Sequence, residues 1–148
     1  MYFRSAECSM NIADFMQAQI YSSMATLALG MEILLEKENV SIEQIHAHGG
    51  LFKVKGIAQQ ILANALKTKV SVTENAGEGG AWGMALLAAY MDDGEGISLG
   101  EWLNKNVFAK MQSAELQPDD RGVEGFEKYL KRYKTALGAE KKLEEVVC

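Results

Sequence analysis

A chain of 148 residues fits one domain, and its net charge of −5 comes without any long Lys/Arg run. That excludes nucleic acid as the expected partner, because phosphates reward clustered cations. The composition, 48% hydrophobic and 24% charged, is that of a globular protein with a packed core.

The two cysteines, Cys8 and Cys148, have neither metal spacing nor a disulfide framework, which predicts a reducing, cytoplasmic setting. Met1 to Ser5 lacks the apolar core of a signal peptide, and the longest apolar run, Ala81 to Met91, is too short to span a bilayer. A soluble intracellular protein with no membrane partner is expected.

Residues 1–10 read as an irregular lead-in. Asn11 is placed to cap a helix over Ile12 to Glu38, with Asp14 in its first turn. Phe15, Ile20, Met24, Leu27, Met31, Leu34 and Leu35 recur along it at helical spacing. Ile42 to Ala47 reads as a short strand ending at Gly49-Gly50. Gly56 to Lys67 reads as a helix with Ile57, Ile61, Leu62, Ala65 and Leu66 on one face. Lys69 to Thr73 alternates as a second strand, and a second glycine-rich turn, Glu74 to Gly80, follows.

Ala81 to Met91 is apolar almost all round, so a helix buried between layers is expected there. Asp92 to Gly96 is an acidic surface turn. Ser98 and Glu101 have capping-box spacing for a short helix carrying Trp102. Phe108 to Pro118 admits an extended or hairpin-like segment, and Asp119-Asp120 precede a last helix with Val123, Phe126, Tyr129, Leu130, Tyr133 and Leu137 on one side. The tail from Glu140 is highly charged and expected to fray. Two strands joined through one helix imply a parallel pair, which is too small to make a good sheet alone.

The glycine pair is the main candidate site. Adjacent glycines at a strand end let the backbone turn sharply and approach a ligand, and a following helix start offers free N–H groups to a phosphate. A plain strand-to-helix turn is the alternative. Lys53 either lies beside such a phosphate or is a solvated charge. His46 and His48 share a strand face but have no Cys, Asp or Glu at ligand spacing, so no metal site is assigned. No Gly-x-Ser-x-Gly, no Gly-x-Gly-x-x-Gly and no Walker A motif is present. Trp82 and Trp102 read as core anchors.

Three runs carry a resemblance. Asp14-Phe15-Met16-Gln17-Ala18-Gln19-Ile20-Tyr21, His48-Gly49-Gly50-Leu51-Phe52-Lys53, and Ala76-Gly77-Glu78-Gly79-Gly80-Ala81-Trp82-Gly83-Met84-Ala85, in this order, resemble the C-terminal part of FGGY-family carbohydrate kinases, in the ribulokinase and xylulokinase-like branch. Pro118-Asp119 and Gly125 to Tyr133 look like that branch's C-terminal helix, so the resemblance covers nearly the whole chain.

It implies an α/β fold: part of an actin-like ATPase (ribonuclease H-like) lobe with two parallel strands and flanking helices. Residues 1–148 would form one C-terminal nucleotide-binding lobe fragment: the lead-in, a core over 11–91 and a helical extension over 92–148.

In such a kinase ATP phosphorylates a sugar hydroxyl, here a ketopentose such as ribulose or xylulose. Gly49 and Gly50 match the adenosine motif, and Leu51, Phe52 and Lys53 would line the same edge; the Gly79-Gly80 turn would serve packing first. The resemblance places the catalytic aspartate, and most of what holds ATP and Mg2+, before this chain begins. No catalytic role is carried onto any residue here, and the chain is expected to be inactive alone. Its expected partners are a nucleotide and either the missing N-terminal lobe or a second copy paired through an open sheet edge. The alternatives are a non-enzymatic assembly module of that fold and an independent small α/β binding domain.

Overall fold

The computed structural model describes residue 4 and residues 6–9 and 11–147, without the side chains of 110 and 144–147. The lead-in lies partly outside the described residues, and Cys148 wholly so; Cys8 is exposed.

Helix α1 spans Ile12–Glu32 and continues as one π-helical turn over Ile33–Lys37. Asn11 caps it, its Oδ1 accepting the Asp14 N–H at 2.9 Å. Strand β1 (Gln44–Ala47), helix α2 (Ile57–Leu66) and strand β2 (Lys69–Thr73) follow. Then come α3 (Gly79–Asp93), α4 (Leu99–Asn106), strand β3 (Ser113–Leu116) and α5 (Asp120–Val147). The Ser98–Glu101 capping box forms on α4 with both reciprocal bonds. The helical path of α5 continues past Glu140, where fraying is expected from the charge pattern.

β1 and β2 pair in parallel, with Gln44 opposite Lys69 and Ala47 opposite Val72. A third strand is the main addition to the expected architecture. β3 joins the free edge of β2 in antiparallel register, Thr73 opposite Ser113 and Val70 opposite Leu116. Its four residues are Ser, Ala, Glu and Leu, too short and too mixed to show a strand period in the sequence. Its neighbours define it instead. Glu115 accepts from Gln44 Nε2 at 3.0 Å and pairs with Lys69 at 3.2 Å, which ties β3 to both other strands. So β3 covers the free side of β2 with the chain's own residues, and β1 and β3 are the two edges of the sheet.

One face of this sheet is the core. Ile45, Ala47, Val70 and Val72 meet Met24, Ala25 and Ala28 of α1, Leu62, Ala63 and Leu66 of α2, and Phe126 of α5. α1 is, by length and a mean hydropathy of 1.2, apolar enough to cross a membrane; here its face at Met24, Ala25 and Ala28 packs into this core. The periodic positions Leu27, Leu34 and Leu35 are exposed. α1 is apolar on more than one side, and its buried residues Met24, Ala25 and Ala28 all lie on one of them.

α3 corrects the expectation of a helix buried between layers. None of its residues is buried, with Met84 68% and Met91 87% exposed. It follows β2 at the end of the sheet, and what anchors it is Tyr90, packed edge-to-face on the buried Trp102 and donating to the Ile97 carbonyl at 2.7 Å.

Asp119 starts α5. Its Oδ1 accepts the Gly122 N–H at 2.7 Å, its Oδ2 accepts from Asn64 at 2.9 Å, and its own N–H donates to Asn64 Oδ1 at 2.9 Å. The Gly122 N–H and then the Asn64 amide hold its carboxyl below the usual aspartate range. A depressed carboxylate adds stability that is complete above its unfolded pKa of about 3.9 and is lost as pH falls through the lower folded value. Asp119→Asn is therefore expected to be less stable than the parent at pH 7, with the gap narrowing as pH falls below the ordinary aspartate range. Urea midpoints at neutral and acidic pH check this; a gap that does not change with pH would refute it.

Candidate functional site

Parallel neighbours bring their C-terminal ends to the same edge of a sheet, where open α/β sheets place their ligands. Here both strand ends carry glycines. After Ala47 the chain passes through His48 to Gly49 at φ +118° and ψ 169°, a conformation only glycine adopts without strain. One 3-10 turn, Gly50–Lys53, follows, and Gly56 at φ +84° leads into α2. After Thr73 a second 3-10 turn, Ala76–Glu78, opens into α3 at Gly79.

The two turns are fastened together. The Gly49 N–H donates to the Ala76 carbonyl at 2.7 Å. Lys53 Nζ donates to Glu78 Oε1 at 2.6 Å. The Lys53 stem lies across Gly77, so that a Cβ there would stand 2.7 Å from its Cγ and Cε. The Lys53 hydrogen bond, then its charge, holds the Glu78 carboxyl below the usual range.

Between the turns lies a groove of about 570 Å³. His48 and Gly49 form one wall; the segment from Gly77 to Gly83, including Trp82, forms the other. Five of the nine lining residues are glycines, so the ligand would meet backbone rather than side chains. Gly79 packs against the His48 ring, its Cβ position lying 3.4 Å from Nδ1. α3 begins at this wall, and no side chain caps its first N–H groups. A flat, anionic ligand suits two rings, bare backbone and a helix start.

The structure distributes the predicted residues. Gly49 lines the groove, Gly50 starts the adjoining turn, and Leu51 is exposed on that turn. Phe52 packs against the core, and with Lys53 it lines a second groove of about 760 Å³ behind the first, toward Gln59, Thr73 and Ser113. The groove thus joins Gly49 to the segment Gly77 to Gly83, of which sequence reasoning gave the Gly79-Gly80 turn a packing role first and named no residue as a ligand contact. The signal for them was available: two parallel neighbouring strands that both end in glycine runs must bring those runs together.

Of the remaining candidates, His46 Nδ1 lies 2.6 Å from Ser71 Oγ on the neighbouring strand. Among the described residues no group of three or more His, Cys, Asp or Glu is placed to hold a metal. Trp102 is a buried anchor as expected, whereas Trp82 is half-buried in the groove wall.

Comparison with known proteins places this geometry. No curated protein matches the sequence. Among solved structures, the xylulose kinase from Rhodospirillum rubrum superposes with a TM-score of 0.65 at 14% identity, over 96% of this chain. At that identity the likeness establishes the fold, an actin-like ATPase lobe, and the chain spans 28% of the length of that kinase. The model of the FGGY family of carbohydrate kinases, C-terminal domain, matches residues 2–91. With both glycine turns and the groove between them inside the matched region, the chain belongs to the FGGY family of carbohydrate kinases and carries that family's C-terminal domain.

Proposed function

We propose that this chain is the nucleotide-holding C-terminal portion of an ATP-dependent sugar kinase, in the ribulokinase and xylulokinase-like branch, acting on a ketopentose such as ribulose or xylulose. The observation that carries the reading is the glycine-walled groove between two parallel strand ends, inside a matched kinase C-terminal domain. Gly49 and Gly50 carry the backbone past the adenosine and its phosphates, and Leu51, Phe52 and Lys53 complete that edge of the site. Mg2+ rides on the phosphates and is held mainly by residues outside this chain.

Phosphoryl transfer requires a positioned acceptor hydroxyl and charge stabilisation on both sides of the phosphate. The one carboxylate lining the groove, Glu78, is committed to Lys53. The base that accepts the sugar proton comes from the remainder of the kinase, and the 148-residue chain alone is inactive. Its partner is that remaining lobe, set against the open edge of β1 and the exposed apolar side of α3, in the cytoplasm where ATP and sugar meet. A second reading, a non-enzymatic assembly module, draws on the same surface: Met84, Leu87 and Met91 are all exposed and serve self-association equally well.

Calorimetry with ADP and with ATP–Mg separates the two. Gly50 and Gly80 both have open space where a Cβ would stand, and neither has a positive φ, so Gly50→Glu and Gly80→Glu keep the fold. Both variants are expected to weaken ADP binding at least about tenfold by filling and charging the phosphate approach, with the melting temperature unchanged. ADP binding that survives both changes, or no binding by the parent even when mixed with an N-terminal kinase half, refutes the nucleotide reading. Self-association unaltered in both variants by native mass spectrometry then supports the assembly module.

A further inference from the structure

We infer that Lys53 is a positioning residue that acts on nucleotide binding through Glu78, neutralising the one carboxylate in the groove wall, and that its ammonium does not contact phosphate. The inference rests on the nucleotide reading above. Three observations support it. Lys53 lines the second groove behind the candidate site, whereas Glu78 lines both grooves. The ammonium is bound to Glu78 Oε1 at 2.6 Å, the short distance of a charge-assisted bond. And the stem is seated on Gly77, where no Cβ fits beneath it, so glycine at that position lets Lys53 reach Glu78 across the turn.

The electrostatic consequence follows from the geometry. Unpaired, Glu78 would place a full negative charge on the wall that a polyphosphate must approach, at the very start of α3. Paired, its charge is offset by the Lys53 ammonium at 2.6 Å. Both side chains are more than half exposed, so the pair adds little to stability on its own. Its effect is on which charge the ligand meets. Adenosine, which has no charge, does not sense it.

The decisive comparison is Lys53→Gln, Glu78→Gln and the double variant in the full 148-residue chain, titrated with ADP and with adenosine. Lys53→Gln is expected to weaken ADP about fivefold at low salt, less at high salt, and to leave adenosine unchanged. Glu78→Gln binds ADP at least as well as the parent, and the double variant, neutral at this place like the parent, returns to the parent level. Gly77→Ala, which displaces the Lys53 stem, weakens ADP as Lys53→Gln does. A double variant as weak as Lys53→Gln would overturn the inference, because a direct lysine–phosphate contact predicts that result.

If the parent binds neither ligand, the nucleotide reading fails, and a ligand-free measurement still decides the coupling. The Gly79 and Gly80 amide signals, followed by NMR against pH, report the Glu78 carboxyl; His48, the other titratable group of the groove, is followed separately by its ring carbons. The Glu78 midpoint is expected to rise in Lys53→Gln, and an unchanged midpoint overturns the inference.

Discussion

Phe126→Ala is expected to destabilise the chain by about 3–5 kcal/mol. Phe126 is 1% exposed and lies in the core formed by α1, α2, α5 and the sheet. Its ring meets Tyr21 edge-to-face at 5.3 Å, and Tyr129 lies 6.3 Å away. Truncation removes the buried ring and leaves a cavity in a core that also holds Ala25, Ala28 and Ala63, short side chains that have little reach to refill it. The position matters because α5 lies beyond residue 91, where the match to the family model ends. A large loss shows that residues outside the matched region are part of the same cooperative core. Urea unfolding followed by tryptophan fluorescence measures it; a loss below about 1 kcal/mol would mean that α5 is an appendage and the core closes without it.

The second large effect is expected at Gln59. It is a helix residue only 4% exposed, and its Nε2 donates to the Val70 carbonyl at 2.9 Å and to the Ala114 carbonyl at 2.8 Å. One amide thus joins β2 to β3 from the helix above them. Gln59→Leu fills the same volume and removes both bonds, leaving two carbonyls short of a donor. The Val70 carbonyl is buried and the Ala114 carbonyl only partly so; at about 1–3 kcal/mol for a buried unsatisfied group, the expected loss is about 1–3 kcal/mol. Gln59→Glu is expected to be worse at neutral pH, because a carboxylate offers no donor and faces two carbonyl oxygens. Hydrogen exchange is the sharper test: the amides of 113–116 should lose protection in Gln59→Leu before those of β1 do. Equal protection in the two strands would contradict the assigned role.

Helix starts were legible because a cap is local chemistry. Asn11 and Ser98 are read directly, and the bonds to Asp14 and Glu101 form within three residues of them. The bounds of β2 were legible because its alternation is complete over five residues. On α2 the limits of periodicity appear. Ile57 belongs to the apolar face by spacing yet is 58% exposed, while Gln59 and Asn64 are buried. Spacing tells which side of a helix is apolar. It does not tell that β3 and the start of α5 will approach the other side and draw two amides inward, since those partners lie 55 residues away.

The candidate site divides in the same way. The glycine pair after β1, the second glycine run after β2 and the family of the chain were all contained in the order of residues, because a glycine requirement at a strand end needs no distant neighbour to express itself. Which glycines line one groove, that Trp82 faces it while Trp102 is buried, and that Lys53 reaches Glu78 across Gly77 were decided only when the two parallel strands set their ends side by side. Charges and rings in a sequence carry no direction. Packing supplies it, and here it turned the most plausible phosphate contact toward a carboxylate 25 residues further along the chain.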